Sequence, residues 1–408
     1  MAGFLPGQLG AAEAHAIYAS WKQGYVKSDC GDGTHRVEFG SPRGSTVSEG
    51  IGYGMLLTAY YGDRAEFDGL WRFTRKHLNA NRLLGWKVTC SGFDASVGGA
   101  GSATDGDADI ALALVAAVDQ WGDAYRPAAL DYLTAMKAHD FAQCPTSGRT
   151  MATNGDWDKG CSASNSSYWT PGYDRVFAEF SHDAFWSAVA NDALGLWLAD
   201  RNSTTGLVAN EVNQDGTAAR GQDHVDYNGC RIPWRAVLDF LWYGTEAAKT
   251  MTDGITDWVD AKDPGHLCDG YATDGTFRPG SRWSGSDCFN GGYAKAAMAK
   301  SQDRVDRFTK VLLSLTVDNY YETSLRALYA LTLSGNFWRP GSPAVTRTVS
   351  RKDVETPAAS EPPPRRGGSC SLGFGGDGPE PWLLVPLSLP WYLRRRGLRG
   401  GSPRCLRE

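Results

Sequence analysis

Apolar residues recur at helical spacing through most of residues 1–340, whereas runs of alternating β-branched residues are almost absent. That pattern restricts the chain to helical architectures. In SEGIGYGMLLTAYYG the residues Ile51, Met55 and Ala59 recur at i, i+4 and i+8, and in DADIALALVAAVDQWG the set Ile110, Leu114 and Val118 does the same. Each predicts a helix with one buried face. Similar patterns near 11–24, 64–80, 123–140, 183–200, 232–248, 250–262, 292–301, 304–317 and 320–334 bring the expectation to about eleven helices. Helices this apolar, joined by Gly/Asp/Ser-rich loops, imply inner and outer helical layers rather than a four-helix bundle. Glycine supplies 49 of the 408 residues, without a collagen period; an excess over the usual ~7% implies many tight loops between buried elements.

Beyond Arg339 the composition changes to Pro, Ser, Thr and charge without periodicity, which divides the chain into a body (1–340), a linker (341–369) and a tail (370–408). The tail holds Cys370, an apolar stretch Pro381–Leu393 interrupted by proline, and then Arg394, Arg395 and Arg396. That stretch is shorter than the ~18 residues a spanning helix needs. The body carries 30 Lys and Arg against 40 Asp and Glu, a balance that repels phosphate backbones and argues against nucleic acid as a partner. Seven of the nine cysteines lie in the body with no CxxC pair or Cys/His ligand spacing. An oxidising compartment therefore fits better than zinc. Short separation favours the pairs Cys144/Cys161 and Cys268/Cys288, with Cys30/Cys90 a further candidate. The first residues, MAGFLPGQLGAAEAHAIYASW, show neither a basic segment nor a long apolar run, so no export signal is visible in them.

Three groups of residues could carry chemistry. Glu49 stands in Ser48-Glu49-Gly50-Ile51-Gly52-Tyr53-Gly54, at the mouth of a predicted helix. The helix dipole lowers the pKa of such a carboxyl, so an acid role requires burial to outweigh the dipole. Asp105, Asp107 and Asp109 crowd one helix start; their spacing resembles a calcium loop, but Ile110 and Ala116 occupy the positions where Gly and Glu are needed. Capping would account for one of these carboxylates and hardly for three. Trp86, Tyr168, Trp169, Tyr173, Tyr227, Trp234, Tyr320 and Tyr321 all fall in or beside loops. Flat rings beside paired carboxylates point to a polysaccharide cleft.

Six blocks in order carry a family resemblance: VSEGIGYGM (47–55), FDGLWRFTRKHL (67–78), ATDGDADIALAL (103–114), SSYWTPGYDRVFAEF (166–180), YNGCRIPWRAVLDFLWYG (227–244) and SLRALYALTLSGNFW (324–338). The chain resembles glycoside hydrolase family 8, the inverting endo-β-1,4-glycanases that include cellulases, lichenases, xylanases and chitosanases. The resemblance implies an all-α (α/α)6 barrel; with the zinc and calcium patterns unmet, no cofactor or metal is expected. It implies Glu49 as general acid and Asp105 as the carboxylate that binds and distorts the sugar. It also implies substrate contacts from Trp86, Tyr227, Arg231 and one of Tyr320 or Tyr321, and Asn228 is expected to touch substrate as well. One position departs: many members carry an aspartate base where this chain has Asn228, and an amide cannot accept the proton. A similar subfamily takes its base from a glutamate in the upstream loop. In this chain that loop, Glu211 to Asp226, offers Asp223 first, with Glu211 and Asp226 behind it.

The tail is similar to the C-terminal sorting tails of myxobacterial surface proteins, which implies export, engagement of sorting machinery and a cell-surface or extracellular location. The expected function is endo-hydrolysis of a β-1,4-glucan by a monomeric enzyme, with chitosan as the second substrate. The competing expectation, raised by Asn228, is a carbohydrate-binding protein whose catalysis has lapsed.

Overall fold

The computed structural model describes residues 3–40, 44–278, 281 and 286–342. Beyond Ser342 the linker and the sorting-like tail lie outside these described residues. Twelve α-helices occur among them: α1 (Ala11–Tyr25), α2 (Ser48–Tyr60), α3 (Arg64–Lys76), α4 (Thr104–Trp121), α5 (Arg126–His139), α6 (Pro171–Ser181), α7 (Ala184–Asp200), α8 (Ile232–Tyr243), α9 (Glu246–Lys262), α10 (Asp287–Ala297), α11 (Gln302–Ser314) and α12 (Tyr320–Leu333).

Apart from α6, burial sorts these helices into two kinds that alternate along the chain. In α2, α4, α8, α10 and α12 nearly every residue is buried, whereas α1, α3, α5, α7, α9 and α11 bury only part of their surface. A helix apolar all round belongs inside, and a striped one belongs on the surface. The even-numbered helices pack each on the next from α2 through α12, and α12 returns to α2, closing an inner ring. The outer helices pack against this ring, as α3 does on α2, α5 on α4 and α11 on α10. This is the all-α (α/α)6 barrel expected from the sequence.

Two expectations about the helices need correction. The apolar sets in α2 and α4 belong to helices buried on all sides, because the inner ring faces both the barrel axis and the outer layer. The helix α6 was not anticipated, although Pro171 occupies its first turn, where a missing N–H costs nothing.

Short antiparallel strands trim one rim of the barrel. Ser45–Val47 pairs with Lys87–Thr89, which pairs with Gly92–Phe93. This sheet delivers the chain into α2, and the Ser48 amide donates to the Trp86 carbonyl at 3.0 Å. Disulfides join Cys30–Cys90, Cys144–Cys161 and Cys230–Cys288. The last overturns the expected Cys268/Cys288 pair. Sequence proximity favoured the short loop, but ring closure brings the starts of α8 and α10 together.

Candidate active site

The chain enters each inner helix from the same rim, so side chains at the helix starts converge there. Glu49 lies in the first turn of α2, Asp105 in that of α4, and Tyr320 and Tyr321 in that of α12; Arg231 immediately precedes α8. Arg231 joins them. Its Nη1 donates to Asp105 Oδ2 at 2.6 Å and to Glu49 Oε2 at 3.0 Å. The Tyr320 hydroxyl donates to Glu49 Oε1 at 3.1 Å, and the Arg231 guanidinium sits 5.5 Å from the centre of the Tyr168 ring.

Close helix approach makes this geometry possible. A Cβ on Gly50 would lie 2.7 Å from the Tyr320 hydroxyl oxygen, and one on Gly106 would lie 2.6 Å from Ser48 Oγ. A methyl group on Gly106 would push α4 away from the Ser48 backbone of α2, and one on Gly50 would displace the Tyr320 ring from Glu49.

A second ion pair supports the first. Arg235 lies one turn after Arg231 and Asp109 one turn after Asp105, so facing helices form two rungs. Arg235 donates to both oxygens of Asp109 at 2.7 and 2.9 Å, with both side chains 0% exposed. Breaking one side of such a buried pair costs about 3–5 kcal/mol, so the lower rung holds α4 and α8 in register. Asp107 points elsewhere: it accepts from the buried Tyr132 hydroxyl, and burial pushes its carboxyl up to about 7. Neither N-terminal capping nor calcium accounts for the three aspartates, which have three separate sets of partners.

Electrostatics favour a protonated Glu49. Burial, with the side chain only 13% exposed, pushes its carboxyl up to about 7. Arg231 and the Tyr320 hydrogen bond oppose this rise, while the negative charges of Asp105 and Asp109 reinforce it. A carboxyl balanced near neutrality can serve as a general acid.

Comparison with known proteins identifies the family. Residues 8–334 match the family model described as glycosyl hydrolases family 8. The chain belongs to that family. It is 35% identical over 265 residues to "Endoglucanase C" of Ruminiclostridium cellulolyticum, an alignment covering 64% of this chain and 57% of that protein. The chain thus spans little more than half of that relative's length. With "Beta-glucanase" of Niallia circulans it shares 32% identity over 355 residues, covering 79% of this chain and 84% of the other. The apo structure of a β-1,3-1,4-glucanase from Paenibacillus sp. X4 aligns with a TM-score of 0.74 at 29% identity, covering 83% of this chain and 96% of that one.

Within this family 8 scaffold the remaining candidates occupy distinct places. Tyr320 touches Glu49, whereas Tyr321 is turned behind it and donates to the Tyr227 carbonyl at 2.8 Å. Half-buried Tyr227 donates to Asp269 at 3.2 Å. Trp86 is half-buried beside the entrance to α2, and its amide donates to the Gly101 carbonyl at 2.7 Å. Asn228 precedes the turn Gly229–Arg231, and its amide donates to Asp226.

The loop carboxylates differ in environment. Asp223 is exposed, accepts from the Thr273 hydroxyl and acts on Asp200; no described contact joins it to Glu49, Asp105 or Arg231. Asp226 accepts from Asn210, from the Asn228 amide and from Arg278. Burial would raise its pKa, but hydrogen bonds led by that of His224 hold it at about 2. Glu211 is half-buried, and burial raises its carboxyl above the usual range. It lies opposite Asn165, one residue before the Ser166–Tyr168 turn that brings Tyr168 to Arg231.

Sequence reasoning missed Trp157. It is 50% exposed, its indole N–H donates to the Ser102 carbonyl at 3.1 Å, and its ring lies over Gly101, just ahead of Asp105. A tryptophan within the polar turn Asn-Gly-Asp-Trp-Asp was the available signal.

Proposed function

We propose that the chain is an endo-acting, inverting hydrolase of β-1,4-linked glucan. The observation that carries this reading is a carboxyl balanced near neutrality, Glu49, joined through one buried arginine to a second carboxylate, Asp105. Glu49 protonates the departing glycosidic oxygen. Asp105, held by Arg231, binds the sugar at the cleavage point and favours its distorted ring, and a carboxylate about 6.5–9.5 Å from the acid takes a proton from the attacking water. The relatives named endoglucanase and β-glucanase favour glucan over chitosan. The three disulfides among the described residues fit export to an oxidising compartment. Release of reducing ends from a panel of polysaccharides, with an early fall in viscosity, tests the reading. Binding without release would favour the alternative suggested by Asn228, a carbohydrate-binding protein.

As the water-activating base we propose Glu211 ahead of Asp223, because Glu211 is half-buried opposite Asn165, beside the turn that carries Tyr168, whereas Asp223 is exposed. Burial raises the Glu211 carboxyl, the direction that favours a proton acceptor, whereas Asp226 is held low and engaged by its neighbours. Glu211→Ala is expected to lower kcat by about 10²–10⁴, with substrate binding retained and partial rescue by azide. Asp223→Ala is expected to retain most activity; the opposite ranking would return the role to Asp223.

Trp157 is proposed as a sugar-stacking platform beside Asp105. An aromatic contact worth about 1–1.5 kcal/mol corresponds to roughly a tenfold effect. Trp157→Ala should therefore raise KM about tenfold while kcat changes little. An unchanged KM on long oligosaccharides would remove Trp157 from the cleft.

A further inference from the structure

The turn carrying Arg231 is fastened from behind by a covalent bond. Cys230, the residue before Arg231, is joined to Cys288 in the first turn of α10, and both are buried. The Tyr321 hydroxyl lies 3.4 Å from the Cys288 sulfur and 3.8 Å from the Cys230 sulfur while donating to the Tyr227 carbonyl. The Cys230 sulfur is itself 3.3 Å from that carbonyl oxygen. On the α10 side, the Cys288 amide donates to Glu322, the neighbour of Tyr321, at 3.0 Å. A Cβ on Gly292 would lie 2.7 Å from the Cys230 carbonyl oxygen. The crosslink thus ties the start of α8 to that of α10 directly behind Arg231 and Tyr227, and hydrogen bonds of Tyr321 and Glu322 join the start of α12 to the same place.

The other disulfides are placed differently. No described contact of Cys30, Cys90, Cys144 or Cys161 reaches Glu49, Asp105 or Arg231. Cys30–Cys90 spans 60 residues and Cys230–Cys288 spans 58, so each restrains the unfolded chain to a similar degree. Loop closure alone gives the second bond no special value.

We infer that the Cys230–Cys288 bond is a positioning element for the glycosidic reaction, holding Arg231 against Glu49 and Asp105 and, through Tyr321, holding Tyr227 at the rim. The inference rests on Glu49 being the general acid. Glu49 is faced by Asp105 and Asp109 from α4, by Arg231 from the turn before α8, and by Tyr320 and Tyr321 from α12; Tyr168 stands across Arg231, and Tyr53 lies on Glu49's own helix. Among these groups Arg231 is the cation that lowers the Glu49 pKa. Loosening it lets that pKa rise, so the alkaline limb of the pH–rate profile moves to higher pH.

The test compares Cys230→Ala/Cys288→Ala with Cys30→Ala/Cys90→Ala at a temperature where both are folded. Thermal stability is expected to fall in both. Only the first pair should lose about tenfold or more in kcat, with KM within about threefold and the alkaline limb displaced upward. Unchanged kcat and pH profile in that variant, or equal kcat loss in both, would overturn the inference. If the first variant does not fold, Tyr321→Phe keeps the crosslink and removes the hydroxyl between its sulfurs and the Tyr227 carbonyl. Its kcat should fall, and an unchanged kcat overturns the inference. Glu49→Gln in the otherwise intact enzyme separates the two levels, because substantial activity there defeats the acid assignment itself.

Discussion

Glu49→Gln is expected to abolish turnover while leaving the fold and substrate affinity intact. The amide replaces the carboxyl with almost the same shape, so its oxygen still accepts from Arg231 and the barrel loses no packing. What it cannot do is deliver a proton to the leaving oxygen. Loss of one general acid is worth about 10²–10⁴ in rate, and a poor sugar leaving group places the effect at the upper end. Kinetics on a soluble β-glucan, paired with thermal denaturation, checks this. A folded variant keeping a tenth of the activity would remove Glu49 from the role. In the wild type, kcat/KM should decline above about pH 7 as Glu49 loses its proton.

Asp105→Asn should be nearly as damaging and should carry a distinct pH signature. Asp105 and Glu49 share one cation, and the charge on Asp105 helps keep Glu49 protonated. With a neutral amide at position 105, Arg231 acts on Glu49 undivided. The Glu49 pKa then falls, more of the acid is ionised at neutral pH, and the alkaline limb moves to lower pH. The substitution also removes the negative charge offered to the distorted sugar, so kcat should drop by about 10²–10⁴ even at acidic pH. Asparagine is the informative replacement because alanine would leave the buried arginine short of a partner, at a cost of about 3–5 kcal/mol. Wild-type kcat in folded Asp105→Asn, or a limb that moves upward, would contradict the account.

Helix content and the paired carboxylates were legible because both are local. Periodicity marks α2 and α4, and VSEGIGYGM and ATDGDADIALAL place Glu49 and Asp105 at helix starts. The start of α6 was less legible, because Thr170-Pro171-Gly172 reads as a break when its neighbours are unknown. Contacts created by ring closure were not legible at all. Arg231 meets Glu49 and Asp105 across separations of 182 and 126 residues, and Cys230 meets Cys288 for the same topological reason. Spacing within the 211–226 loop likewise could not show that Asp226 is engaged by its neighbours, that Asp223 is exposed, or that Glu211 is half-buried. Those differences depend on where the strand partners of the loop lie.

The most direct test of the central claim is proton NMR of the first products released from a soluble β-1,4-gluco-oligosaccharide, recorded before mutarotation equilibrates the anomers. Direct attack by water, with Glu49 as acid and a separate carboxylate as base, predicts that the α-anomer appears first. Initial accumulation of the β-anomer, or no product at all from folded enzyme, would contradict the account.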